Sequence, residues 1–125
     1  MESLGADPER VYQLGVKYHV SCTGCAQCTI AALLEVLDME NDDIFKAASG
    51  LSGGIGLSAN GSCGALTGGA LVIGLLFGRD IDDFLDPLAA MTAYDLVKEL
   101  HDYFIAEFGS CRCADIQERL VGRSF

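Results

Sequence analysis

Along most of this chain, apolar residues recur every three or four positions, the spacing that places them on one face of an α-helix. Turn-prone or capping residues separate these stretches, and no stretch of useful length alternates apolar and polar residues as a strand does. The pattern predicts five to six helices, the third of them short, over residues 8–20, 24–37, 42–49, 63–77, 87–108 and 111–120. We therefore expect an all-α fold, a compact helical bundle that forms one domain over residues 1–125.

The fourth predicted helix differs from the others because it is apolar on every side. It extends from Cys63 to about Phe77, is rich in Gly and Ala, and stops at Gly78. A helix without a polar face is usually buried, and small residues let its neighbours approach closely. No charged residue occurs between Lys46 and Arg79, but the continuous apolar part is shorter than the ~18 residues that a bilayer requires. We expect a buried central helix and no membrane span.

Polar and glycine residues predict how the remaining segments begin and end. Asp86 followed by Pro87 predicts the start of the fifth helix, and Ser110 predicts the cap of the last one. The glycine-rich segment 50–56 predicts a shaped loop before the central helix.

The net charge of −10 disfavours nucleic acid as a partner and favours a basic protein. Only eight Lys and Arg residues are present, whereas binding to nucleic acid requires clustered basic side chains. An acidic surface favours a basic protein partner, although we expect Asp80, Asp82, Asp83 and Asp86 to form a solvated linker. The N-terminus shows no basic stretch that leads into an apolar run, so we expect a cytoplasmic protein.

Six cysteines carry the candidate chemistry. In a reducing compartment such residues are more often metal ligands or redox groups than structural disulfides. They form a C-x2-C-x2-C run, a single cysteine and a C-x-C pair, at Cys22, Cys25, Cys28, Cys63, Cys111 and Cys113. Cys25, Cys63 and Cys113 each fall in the first turn of a predicted helix, where free amides and the helix dipole stabilise thiolates. If these helix starts converge, four cysteines could hold an iron–sulfur cluster.

Other uses of the cysteines remain open. The Cys22-x-x-Cys25 spacing is that of a dithiol that exchanges with disulfides, but the βαβ context of thioredoxin-like motifs is missing. Four thiolates could instead bind structural zinc, although Cys63 has no paired neighbour as in zinc knuckles. His19 is an alternative metal ligand, whereas His101 is expected on a solvent-exposed helix face.

Four segments resemble a known family: 25–27 (CAQ), 51–56 (LSGGIG), 63–68 (CGALTG) and 108–113 (FGSCRC). In this order, they are similar to the small redox-active proteins recognised by four cysteines and a CGAxxG motif, a group that also resembles the cysteine-bearing domain of split-Soret cytochromes c. The resemblance covers about residues 12–116. It implies a helical domain in which Cys25, Cys63 and Cys113 are the family cysteines, with a redox role and an iron–sulfur centre.

The cysteine pattern and the family resemblance lead to one functional expectation, an iron–sulfur electron-transfer protein that is a small subunit or partner of a larger oxidoreductase. The cluster would be [4Fe-4S] or [2Fe-2S], with zinc as the alternative metal. Its expected ligands are Cys25, Cys63 and Cys113, with Cys22, Cys28 or Cys111 as the fourth. The expected partners are a redox protein or an oxidoreductase complex, with a homo-oligomer left open.

Overall fold

A computed structural model describes residues 8–21 and 24–122 of the chain. Within these ranges the α-helices are α1 (Pro8–Ser21), α2 (Cys25–Val36), α3 (Asp42–Ala47), α4 (Gly64–Phe77), α5 (Met91–Phe108) and α6 (Cys113–Val121). Short 3₁₀-helices occupy Ala48–Leu51, Ile81–Asp83 and Pro87–Ala90. The described residues form no strand and contain one isolated antiparallel bridge, between Ser62 and Arg112. The predicted all-α class is confirmed.

Helix α4 lies between α2 and α5, and α1 packs on α2. Two glycines of α4 allow α2 and α5 to pack closely against this helix. A methyl group at Gly68 would be 2.7 Å from the Ala26 carbonyl oxygen of α2, and one at Gly69 would be 2.9 Å from Leu100 Cδ2 of α5. The prediction of a buried Gly/Ala-rich central helix is therefore confirmed. In the part of the chain that the structure describes, no helix is both long and apolar enough to cross a membrane.

The core consists of two main apolar clusters on either side of α4. One joins α2 to α4 and to the turn after α3, through Ala26, Ile30, Leu34, Ala48 and Val72. The other joins α4, α5 and α6 through Leu66, Phe104 and Ile116. Helix α4 contributes to both clusters, so it connects the N-terminal and C-terminal halves of the bundle.

The last two helices begin differently from the prediction. Asp86 accepts a hydrogen bond from the Leu88 amide, so it caps the 3₁₀-turn Pro87–Ala90 that leads into α5. The prediction that Ser110 caps α6 is wrong, because Arg112 occupies the cap position. The Ser110 hydroxyl instead accepts from the Arg112 amide at 3.0 Å and donates to Asp115 at 2.8 Å. Ser110 thus fixes the turn that precedes α6.

The glycine-rich segment forms a left-handed turn. Residues 53–57 all have positive φ angles, between 60° and 73°. Backbone hydrogen bonds close the turn, from the Gly56 amide to Gly50 and from the Gly61 amide to Gly54, each at 2.8 Å. Glycine adopts this conformation readily, but at Ile55 and Leu57 it costs about 1–2 kcal/mol per residue. The predicted loop is confirmed. Its left-handed backbone determines which of its backbone groups lie beside the cysteines.

Candidate cysteine site

Three cysteines lie where helices begin. Cys25 is the first residue of α2, Cys63 directly precedes α4, and Cys113 is the first residue of α6. The first amides of a helix lack partners within the helix, and its dipole is positive at this end. The predicted positions at helix starts are confirmed to within one residue.

Backbone hydrogen bonds hold the start of α4 against the start of α6. The Cys63 amide donates to the Cys111 carbonyl oxygen at 2.8 Å, and the Cys113 amide donates to Gly61 at 2.9 Å. The Ser62–Arg112 bridge lies between these two bonds. Cys63, Cys111 and Cys113 are therefore brought together by the main chain, independently of how their side chains pack.

Helix α2 joins this assembly through Gly64. A methyl group at Gly64 would overlap Cys25 Sγ and would be 2.8 Å from the Ala26 amide nitrogen. The Cys25 sulfur therefore lies directly against the backbone of the residue that follows Cys63. It also accepts a hydrogen bond from the Gly53 amide at 3.4 Å.

The left-handed turn completes the surroundings of the thiols. A methyl group at Gly54 would be 2.6 Å from Cys113 Cβ, so the turn lies against Cys113 as well as Cys25. Neither Gly54 nor Gly64 could carry a side chain without displacing a cysteine. Both positions are therefore occupied by glycine because the backbone lies too close to a cysteine side chain for a Cβ atom to fit.

Burial and mutual charge govern the ionisation of these thiols. Burial raises the pKa of the Cys63 thiol, and the charges of Cys25 and Cys111 raise it further. The Cys63 side chain makes no hydrogen bond that caps α4. The amides of Ala65 and Leu66 nevertheless lie close enough to the sulfur to lower the pKa of the Cys63 thiol in part. The prediction that a helix start stabilises the thiolate is therefore wrong for Cys63 without a cofactor, because burial outweighs the helix amides. A cation bound at the site would favour ionisation of the thiol.

Cys113 is in the same electrostatic neighbourhood. Its side chain is buried, and burial raises the pKa of its thiol. The charges of Cys63 and Cys25 raise that pKa as well. Cys25, Cys63 and Cys113 therefore influence one another, as expected of cysteines that share one site.

The remaining candidates lie elsewhere or outside the described residues. Cys28 is buried one turn after Cys25, and both line a largely apolar groove of about 530 Å³ between α1 and α2. Cys22 falls outside the described residues, as does the side chain of His19. His101 is exposed beside Asp102, as predicted.

The donor groups at the site can be compared with what an iron–sulfur cluster needs. Cys25, Cys63, Cys111 and Cys113 carry free thiols, and thiolates are the usual cluster ligands. Clusters also receive hydrogen bonds at sulfur and tolerate backbone close by. The glycine backbone and the Gly53 amide meet both needs, so the donor chemistry of the site fits this cofactor. Among the described residues, no three His, Cys, Asp or Glu side chains are grouped so that they could hold a single metal ion. A [4Fe-4S] cluster instead takes one cysteine at each iron, so its ligands lie farther apart than those of one ion.

One buried hydroxyl beside the site lacks a partner. Ser52 is 8% exposed, and its Oγ makes no hydrogen bond to any residue that the structure describes. It lies 3.4 Å from where a methyl group at Gly24 would be, next to the start of α2. We did not predict Ser52 or Gly53 as site residues, and their only sequence signal was their place within the glycine-rich motif.

The helical fold and the meeting of three helix starts at a group of thiols define a cysteine-centred helical protein. The chain belongs to the family described as “Putative redox-active protein (C_GCAxxG_C_C)”, whose model matches residues 23–124. The matched range includes Cys25, Cys28, Cys63, Cys111 and Cys113 and excludes Cys22. No curated protein and no solved structure matches the chain significantly. Family membership is consistent with a redox role, and the likeness to split-Soret cytochromes stays a prediction.

Proposed function

We propose that this protein binds an iron–sulfur cluster through Cys25, Cys63 and Cys113 and transfers electrons as a small subunit or partner of a larger oxidoreductase. The observation that carries the proposal is the convergence of three helix starts, since main-chain hydrogen bonds join the starts of α4 and α6 and the Cys25 sulfur of α2 lies against Gly64. The thiols of Cys63 and Cys113, whose pKa values are raised in the folded protein, need a positive centre in order to ionise readily, and the irons of a cluster would supply one. The family's redox description supports the same role.

Cys111 is the fourth ligand in this proposal. Its carbonyl oxygen accepts the Cys63 amide, and its charge raises the pKa of the Cys63 thiol. Cys28 lines the groove between α1 and α2, one helical turn after Cys25. Of the three candidates for the fourth ligand, Cys111 is therefore preferred because of its links to Cys63.

The protein's own groups would act on the ligand sulfurs. The Gly53 amide donates to Cys25, and the first amides of α4 face Cys63. Such donors stabilise sulfur that carries more negative charge, so they favour the reduced state. The bound cluster would supply reversible one-electron transfer, while burial of Cys113 restricts access of water.

The test is purification without oxygen, followed by joint measurement of iron, acid-labile sulfide, zinc and the visible spectrum. We expect iron and sulfide in proportion and broad absorption near ~400 nm. Cys25→Ser, Cys63→Ser, Cys111→Ser and Cys113→Ser should each lose most of the iron. The matched control, Cys28→Ala, should keep it. Zinc without sulfide would contradict the proposal, as would iron retained in all four variants.

A dithiol that exchanges with disulfides is the second candidate, favoured by one observation. Cys25 and Cys28 are one helical turn apart at the start of α2 and line the same groove. A C-x-x-C pair at a helix start is typical of such dithiols. A metal-free protein in which oxidised glutathione forms a reversible Cys25–Cys28 disulfide would favour this function over cluster binding.

A further inference from the structure

We propose that residues 80–91, which connect α4 to α5, form a docking surface for a protein whose contact face is apolar at its centre and basic at its rim. This segment is called the linker surface below. It lies apart from the cysteines, so the inference holds whether or not a cluster is bound.

Large apolar side chains project from the linker surface into solvent. The exposed fractions are 87% for Ile81, 64% for Phe84, 95% for Leu85, 75% for Leu88 and 44% for Met91. Single exposed apolar residues are common, but a run of this kind marks an interaction site because its exposure to water is unfavourable. The linker surface is therefore more than the solvated linker that the carboxylates predicted.

Local hydrogen bonds fix the backbone that carries these side chains. The Asp83 amide donates to the Asp80 carbonyl oxygen at 3.0 Å, and the Phe84 amide donates to Ile81 at 3.1 Å. Asp86 caps the following 3₁₀-turn through the Leu88 amide. A surface that is ordered before contact loses less conformational entropy when a partner binds.

The charges around the apolar side chains select the partner. Asp80, Asp82, Asp83 and Asp86 are all exposed. Arg79, the cation beside them, stacks over the Phe84 ring at 5.3 Å and donates to the Asp86 carbonyl oxygen at 3.3 Å. The rim is therefore acidic and favours a basic partner. A second copy of this chain, with its net charge of −10, and an anionic membrane would both meet like charge.

The position of the linker surface leaves the cysteines accessible. Helix α4 separates the two, and its 14 residues span about 20 Å. A partner bound at one end of α4 would not cover the thiols at the other end. A protein bound at the linker surface therefore leaves the cysteine end open to a second protein.

The experiment measures binding of a synthetic 18-residue amphipathic helix of leucine and lysine to the full chain at physiological salt. A leucine–glutamate helix serves as the opposite-charge probe, and titration calorimetry gives both affinities. We expect the lysine helix to bind and the glutamate helix not to bind. Ile81→Ser with Leu85→Ser should weaken binding about tenfold or more, whereas Leu120→Ser, another exposed leucine, should leave it unchanged.

Charge variants separate a docking site from general attraction to an acidic protein. Asp82→Asn with Asp83→Asn should weaken binding several-fold more than Asp95→Asn with Glu99→Gln, which removes the same charge from an exposed face of α5. Equal weakening by the two pairs would overturn the proposal. A dimer in sedimentation experiments that is lost in Leu85→Ser would also overturn the proposal, because a second copy of the chain would then occupy the linker surface. Circular dichroism checks that each variant keeps its helices.

Discussion

The two ends of α4 differ although the helix is apolar along its whole length. At the first residue, Gly64, a methyl group would overlap a cysteine of α2. In the last turn, Gly74 has nothing within 4 Å of an added methyl group, and the segment that follows exposes Ile81 and Leu85. The difference arises because α2, the left-handed turn and α6 all meet the first end. An apolar sequence therefore does not by itself determine which part of a helix is buried.

Substituting one glycine at each end is the strongest test of this contrast. Gly64→Ala should destabilise the metal-free protein by about 3 kcal/mol, because Cys25 and the α2 backbone must move. Gly74→Ala should stabilise it by about 0.5–1 kcal/mol, since alanine favours the helix and meets no neighbour. Urea denaturation followed by circular dichroism measures both. Equal effects would show that the two ends are packed alike.

Two exposed leucines, one near each end of α4, differ in backbone conformation. Leu57 has a φ of 61° in the left-handed turn, and Leu88 has an ordinary φ in the linker surface. Leu57→Gly should raise the free energy of unfolding by about 1 kcal/mol because glycine relieves the strain. Leu88→Gly should lower it by about 0.5 kcal/mol, since only backbone entropy changes. A loss of stability in Leu57→Gly would contradict the assigned strain.

Ser52 allows the cysteine end of α4 to be tested without changing a cysteine. Because its buried hydroxyl lacks a partner, Ser52→Ala should stabilise the metal-free protein by about 1 kcal/mol. Ser110→Ala is the matched control and should destabilise it, because Ser110 makes two hydrogen bonds. In the cluster-loaded protein, a lower reduction potential in Ser52→Ala would indicate that the hydroxyl donates to the cluster. An unchanged potential would restrict Ser52 to a packing role.

The smallest expected effect is a dependence of stability on pH at the cysteine end. The pKa values of the Cys63 and Cys113 thiols are raised in the folded protein. Above about pH 8.5, where an unperturbed thiol ionises, the folded metal-free protein holds more protons than the unfolded chain. Its stability is therefore complete below that pH and declines above it. Urea midpoints at pH 7.5 and 9.5 should fall less in Cys63→Ser, and an identical fall would refute the prediction.

Local signals were sufficient to predict most of the helices and the helix starts at Cys25 and Cys63. A capping position followed by helical spacing acts over a few residues, so it can be read without the rest of the fold. The Ser110 prediction failed because the bridge between Ser62 and Arg112 shifts the start of α6. That bridge depends on a distant segment, which no local pattern reveals.

The cysteine site was only partly predictable for the same reason. The residue types and helix starts indicated Cys25, Cys63 and Cys113. The roles of Gly54 and Gly64 and the isolation of the Ser52 hydroxyl depend on contacts between segments. Left-handed Ile55 and Leu57 could not be expected, since isolated β-branched and leucine residues avoid that conformation. The predicted solvation of the four linker carboxylates is confirmed, since all four are exposed. The exposure of Ile81, Leu85 and Leu88 beside them was not predicted.

The pairing of the segment before α4 with the segment before α6 has a consequence for biosynthesis. Asn60 and Arg112, which also share a hydrogen bond, are 52 positions apart. A chain that emerges from the ribosome therefore presents Cys25 and Cys63 well before Cys111 and Cys113 exist. The four thiols can come together only after Cys113 has been translated, so the cofactor of the proposed function would enter the protein after that point.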